Sequence, residues 1–194
     1  DDGFLKTGDL GKITISGGSL GASLLAYDNS QITLSGGFVE DNLRAWDSGQ
    51  ATMSGGSVGY ALQGFDNSQI TMLGGHVASN YSGKSITAYG NSQVIMSGGS
   101  VDGSLNAGNL IFPGKATLNI LGSDFAINDI PVDYGEYNSM DFAQGTLTGT
   151  LANGDLLDNS FYIYGDSNIV LAPIPEPTTL LLFGLGGFAM LRRK

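Results

Sequence analysis

The chain of 194 residues carries a single histidine, His76, and no cysteine. Any Ser/His/Asp nucleophilic arrangement would have to be built on that imidazole. His76 directly follows Gly74-Gly75, and the same place after the other Gly-Gly pairs is held by Ser19, Phe38, Ser57 and Ser100. A position that accepts Ser, Phe and His faces solvent rather than a preorganised pocket, so no triad is expected. Glycan cleavage would need two carboxyl groups about 5–10 Å apart in a cleft. Glu40, Asp41 and Asp47 are the nearest acidic cluster, with no loop-walled cleft in prospect around them. The absence of cysteine removes disulfides, thiolate zinc sites and Cys nucleophiles together. The chain therefore reads as no enzyme and as needing no cofactor, with a glycan-cleaving enzyme the weakest of three functional readings.

Two columns of residues carry other chemistry. Asp28, Asp47 and Asp66 recur at one place in a repeated pattern, and Gly90 breaks the series. Carboxylates in a column are hard-oxygen ligands that could hold Ca²⁺. Yet the glycine turns read "GGSLGA", "GGFVED" and "GGSVGY", not the G-G-x-G-x-D of calcium-binding repeats. The structural reading is an Asp that opens an Asx-type turn, followed by Asn29, Asn67 and Asn91, which can ladder. The second column is aromatic: Tyr27, Trp46, Phe65 and Tyr89. If Leu24 and Ala26 face inward, alternation turns Leu25 and Tyr27 outward, in line with the mostly polar column Leu25, Arg44, Gln63, Thr87. Four exposed rings would form a flat stripe on which a sugar can lie, making the chain a carbohydrate-binding module. The alternative is that the turn at Asp28 rotates the rings into a corner, where they stack and shield the core.

Both columns depend on a repeat. "DNSQITLSGG" (28–37), "DSGQATMSGG" (47–56) and "DNSQITMLGG" (66–75) start 19 residues apart, and "GNSQVIMSGG" (90–99) follows after 24. "GKITISGG" (11–18) is an earlier partial copy and "GKATLNILG" (114–122) a degenerate later one. Ile13, Ile32, Ala51, Ile70, Val94 and Ala116 form one apolar column, and Ile15, Leu34, Met53, Met72, Met96 and Leu118 another two residues on. Between them lie Thr14, Thr33, Thr52, Thr71, Ile95 and Thr117, the period-two pattern of a half-buried strand. A Gly-Gly turn follows, then an inward Leu20, Val39, Val58, Val77 or Val101, then a third strand with Leu24, Leu43, Leu62 or Ile86. Three short strands per 19 residues describe one coil of a parallel β-helix, which buries its apolar face only by stacking on the next. About six coils at ~4.8 Å each give a stack of roughly 29 Å. The general hand of parallel crossovers favours a right-handed stack, although some inward positions fall at the six-residue spacing of left-handed ones. Five inserted residues near "ASNYSGKSI" (78–86) are expected to loop out.

The all-β reading divides the chain into repeat coils (1–121), a capping β region (122–172) and a tail (173–194). An open last coil would be an unpaired edge, and Asn153-Gly154 between two β-like runs is a strong hairpin signal, so residues 122–172 are expected to be antiparallel strands packed on the last coil. Composition agrees with an ordered, turn-rich β protein: 31 Gly, only 5 Pro and 41% apolar residues. The formal charge is −10, and setting aside the basic trio Arg192, Arg193, Lys194 and the lone acid Glu176 leaves 5 basic against 17 acidic side chains in residues 1–174. Such a surface repels nucleic acid. The chain starts at Asp1 without Met, so an N-terminal export signal is expected to be missing from view.

The tail, "PIPEPTTLLLFGLGGFAMLRRK", is unlike the rest. "GLGGFA" has the spacing of a dinucleotide-binding fingerprint but ends too near the C-terminus to be followed by the strand and acid that motif needs. As a helix, the 14 residues Thr178–Leu191 span ~21 Å against a hydrocarbon core of about 30 Å. Arg192, Arg193 and Lys194 would hold its end on the cytoplasmic side. Pro175-Glu176-Pro177, the short Leu/Gly-rich segment and the final basic cluster resemble, in that order, the PEP-CTERM sorting signal of Gram-negative bacteria. The resemblance implies export, transient anchoring in the inner membrane, and processing near Pro-Glu-Pro by a membrane-embedded exosortase. It also implies the company of exopolysaccharide. The expected protein is a structural or adhesive component of the cell surface or matrix.

Overall fold

A computed structural model describes residues 4–80, 82–109 and 111–174. The described residues are all-β, without a helix. The helix expected over Thr178–Leu191 lies outside them, as do Pro175, Glu176, Pro177 and the basic trio.

Two ladders of parallel strands run through the chain, and each turn of the repeat adds one rung to both. The first rung is β1 (Phe4–Thr7) and β2 (Lys12–Leu20), and the second is β3 (Ser23–Ala26) and β4 (Gln31–Val39). The third is β5 (Leu43–Ala45) with the divided pair β6 (Gln50–Met53) and β7 (Ser57–Val58). β8 (Leu62–Gly64) and β9 (Gln69–Val77) make the fourth, and β10 (Lys84–Ala88) and β11 (Gln93–Val101) the fifth. β12 (Ser104–Ala107) and β13 (Thr117–Ile127) make the sixth. After β14 (Ile130–Pro131), β15 (Gly135–Asn138) and β16 (Gln144–Leu151) the chain supplies a seventh rung, β17 (Leu156–Ile163) and β18 (Asn168–Ala172).

Register follows the sequence columns. Leu5, Leu24, Leu43, Leu62, Ile86, Leu105 and Phe161 lie side by side in the first ladder. In the second, Ile13, Ile32, Ala51, Ile70 and Val94 align, and so do Ile15, Leu34, Met53, Met72 and Met96. From the second rung onward these side chains form a single buried cluster, so each rung is the roof of the one before.

Four features differ from the sequence reading. In β2, β4, β9 and β11 the strand continues through the Gly-Gly pair with an irregular register, so those units have one short and one long strand rather than three short ones, while the third unit is divided there into β6 and β7. Stacked bends explain the glycines. Gly37 has φ 88°, and a Cβ there would sit 2.7 Å from the Gly18 carbonyl oxygen. Second, the degenerate copy is shifted by two residues: Leu118, not Ala116, pairs with Val94, and Ile120 with Met96. A two-residue slip keeps the same side chains on the same face, which is why the pattern hid it. Third, the region after residue 121 is not wholly antiparallel. β13 runs through residue 121, and β17 and β18 add parallel rungs to β12 and β13. Antiparallel strands then cover that end, β16 on β17 and β13, and β15 on β18, with the hairpin turn at Asn153-Gly154. Fourth, Leu25, Gln63 and Thr87, expected to face solvent, are buried. Only Arg44 of that column is part-exposed, and its Nε donates to Gln63 Oε1 at 2.8 Å.

Candidate functional site

The aromatic column lies at the corner where the first ladder turns into the second. Its rings stack face to face: Tyr27 on Trp46 at 6.4 Å between centroids, Trp46 on Phe65 at 3.7 Å, and Phe65 on Tyr89 at 4.7 Å. Phe65 and Tyr89 are buried, and Phe112, from the segment between β12 and β13, lies against both at 5.6 and 5.4 Å. Tyr27 and Trp46 are half-buried. A sugar stacks on a ring face, and the faces of Trp46 and Phe65 are taken by their neighbours. The open stripe expected from alternation is therefore a corner stack. Gly108, whose amide donates to Ala88 O as that of Tyr89 does to Gly64 O, holds the next place in the column, and there the ring series breaks.

The Asp column is tied into the backbone. Asp28, Asp47 and Asp66 all adopt the left-handed conformation, at φ 56°, 57° and 55°, and Asp9 joins them at 54°. Each carboxylate accepts the amide of the aspartate one unit earlier: Asp9 N donates to Asp28 at 3.0 Å, Asp28 N to Asp47 at 3.5 Å, and Asp47 N to Asp66 at 3.4 Å. Aspartate is one of the few non-glycine residues that enter this backbone region readily. Gly90, at φ 63°, takes over where the carboxylate is lost. Among the described residues, no group of three or more His, Asp and Glu side chains is placed to hold a metal ion.

One cluster was not foreseen. His76 and Ser100 are cross-strand neighbours on β9 and β11. The Nδ1 of His76 is 3.0 Å from Ser100 Oγ, and its Nε2 is 3.3 Å from Asp102 Oδ2. The spacing held the signal, since the column sets Ser100 beside His76 and Asp102 follows two residues on. These are the residue types of a nucleophilic triad, with the ring nitrogens exchanged relative to the usual arrangement. Catalysis would also need free amides to hold an oxyanion. The amide of His76 donates to Gly56 O, that of Asp102 to Val77 O, and that of Gly99 to Asp155 Oδ2. All three are committed to the ladders or their cover, and the imidazole side chain is 41% exposed. The cluster joins two rungs.

Among the described residues, Asp155 is the one carboxylate with a distinctly altered proton affinity. Asn153 Nδ2 and then the Gly99 amide donate to it, both at 2.6 Å, and hold its pKa below the ordinary carboxylate value.

Residues 173–194 match the model of the PEP-CTERM protein-sorting motif. The match holds the Pro-Glu-Pro motif and the basic trio, and it marks the chain as an exported protein of the surface or extracellular space, sorted by an exosortase. No curated protein and no solved structure matches the chain. Among the described residues no helix is long and apolar enough to cross a membrane.

Proposed function

We propose that this is a non-catalytic structural or adhesive protein of the cell surface or matrix, whose working part is a right-handed parallel β-helix and whose tail is a removable address. The supporting observation is the contrast between the two parts. In residues 4–172 the residue types that do chemistry elsewhere serve the stack: rings on rings, Asp on amide, His on Ser and Asp. The tail alone carries an instruction, and it matches a sorting motif. On this reading Thr178–Leu191 anchors the chain briefly in the inner membrane, Arg192, Arg193 and Lys194 stay on the cytoplasmic side, and the exosortase cuts near Glu176. The repeat body is then released to the surface, where exopolysaccharide is the expected company. Mass spectrometry of the mature protein from its native host tests this. A C-terminus near residue 177 is expected; intact Lys194 as the dominant surface form would sink the reading.

A further inference from the structure

The irregular parts of the chain meet at one corner. The insertion after β9, the bend between β11 and β12, and the outward face of β17 border an open groove of about 400 Å³. Ser82, Asp102, Asp158, Ser160 and Tyr162 line it. Hydrogen bonds across the corner hold the three walls in place. Asn80 Oδ1 accepts from Ser82 N, Ser82 Oγ and Lys84 N, which closes the insertion on itself. Gly83 O accepts the amide of Ser104 at 2.9 Å. Asn159 Nδ2 donates to Val101 O at 2.8 Å and Gly103 O at 2.9 Å, which locks β17 to the bend. The one histidine reaches the same place, since its Nε2 contacts Asp102.

What the groove offers is a line of alternating residues. Asp158, Ser160 and Tyr162 point outward from β17, while Leu157, Asn159 and Phe161 between them are buried. Tyr162 stacks on Tyr164, two residues on, with centroids 6.3 Å apart and planes within 16°. Asp158 to Tyr164 spans about 20 Å of strand. No Lys or Arg lines the groove. Aromatic faces for C–H surfaces, beside carboxylate and hydroxyl oxygens for hydroxyl groups, in walls fixed beforehand, are the chemistry that recognises a sugar chain. Two carboxylates without a cation exclude a polyanion.

We propose that this groove binds an uncharged, hydroxyl-rich oligosaccharide lying along β17, with Tyr162 as its platform and Asp102 and Asp158 accepting from its hydroxyls. The inference adds a ligand to the surface role and does not depend on where the tail is cut. Isothermal titration of the full chain in detergent micelles, against cellohexaose, laminarihexaose and chitohexaose, tests it, with tetragalacturonate as the anionic counterpart. Saturable binding of at least one neutral hexasaccharide is expected. Tyr162→Ala weakens it at least about tenfold, Asp158→Asn weakens it severalfold, and Tyr27→Ala at the end of the corner stack leaves it unchanged. An unchanged far-UV circular dichroism spectrum shows that each variant is folded. The proposal falls if no neutral hexasaccharide binds, if binding survives Tyr162→Ala, if it is lost in Tyr27→Ala, or if tetragalacturonate binds more tightly.

Discussion

The first rung and the third share a leucine column and differ in what covers it. Leu5 and Leu43 belong to one column, yet Leu5 is 40% exposed and Leu43 is fully buried. Ile13 and Ile15 are part-exposed on β2, whereas Ile32 and Leu34 beside them on β4 are buried. The far end of the stack escapes this, because β15 and β16 pair with the last rung and Ile169 and Leu171 are buried beneath them. Burial here is a property of the neighbouring rung, not of the residue, and a stack is only as closed as its ends. On the first described rung the outward columns change type: Lys12 stands where the next units have Gln31, Gln50 and Gln69, and Lys6 stands beside Leu25. Lysine on an exposed edge discourages pairing with another strand.

The sharpest way to break this comparison is to make one substitution at both places. Leu43→Ala opens a cavity between two rungs, with an expected cost of about 2–5 kcal/mol. Leu5→Ala removes a side chain that is already partly solvated and should cost under about 1 kcal/mol. Chemical denaturation of both variants measures the difference. Equal losses would mean that the first rung is covered as fully as the third.

A smaller contrast comes from the glycine bends. Gly18 and Gly37 share a conformation, at φ 80° and 88°. A methyl group on Gly18 meets nothing within 4 Å, whereas on Gly37 it would lie 2.7 Å from Gly18 O and 2.8 Å from Gly17 C. Gly18→Ala should therefore cost only the left-handed strain, about 1–2 kcal/mol. Gly37→Ala adds a collision with main chain that cannot swing away, for a total of about 2–4 kcal/mol. Identical midpoints would show that the bends are not in contact.

The repeat explains how much could be read without coordinates. Register at Ile32, Ala51, Ile70 and Val94 follows from period and alternation, because a one-residue slip would turn every core side chain outward. The slip at Leu118 was invisible for the same reason, being of two residues. The parallel rung at β17 and β18 was hidden because its partners precede it by about 50 residues, with three strands between, and no local pattern reports so distant a pairing. Pleat alternation alone could not show that Leu25 and Thr87 would be buried. The tail was the most legible part, since its meaning lies in residue order alone, and the sorting-motif match covers the same residues. The groove at β17 was illegible, because its walls come from three separated segments.

The smallest effect probes the cover itself. Gly37, Gly56, Gly75 and Gly99 each lie on the bend of the preceding rung, but above Gly99 the next bend is replaced by the hairpin turn after β16. Asn153 N donates to Ser97 O, and Asp155 accepts the Gly99 amide. Asp155 thus stands in for a missing rung, and it accepts more strongly as a carboxylate than as a neutral acid. Its donors lower its pKa in the folded chain, so its contribution is fully present above the ordinary carboxylate value and is lost as pH falls through the lowered one. The Gly99 amide proton should follow this titration by NMR, with a midpoint below the unperturbed value near 3.8. Asp155→Asn should remove that titration and lower the thermal midpoint slightly at neutral pH, by less than Gly18→Ala does, because the carboxylate is exposed to solvent. A Gly99 midpoint at the ordinary carboxylate value would mean that the hairpin turn does not close the bend, and that this end of the stack is as open as the first rung.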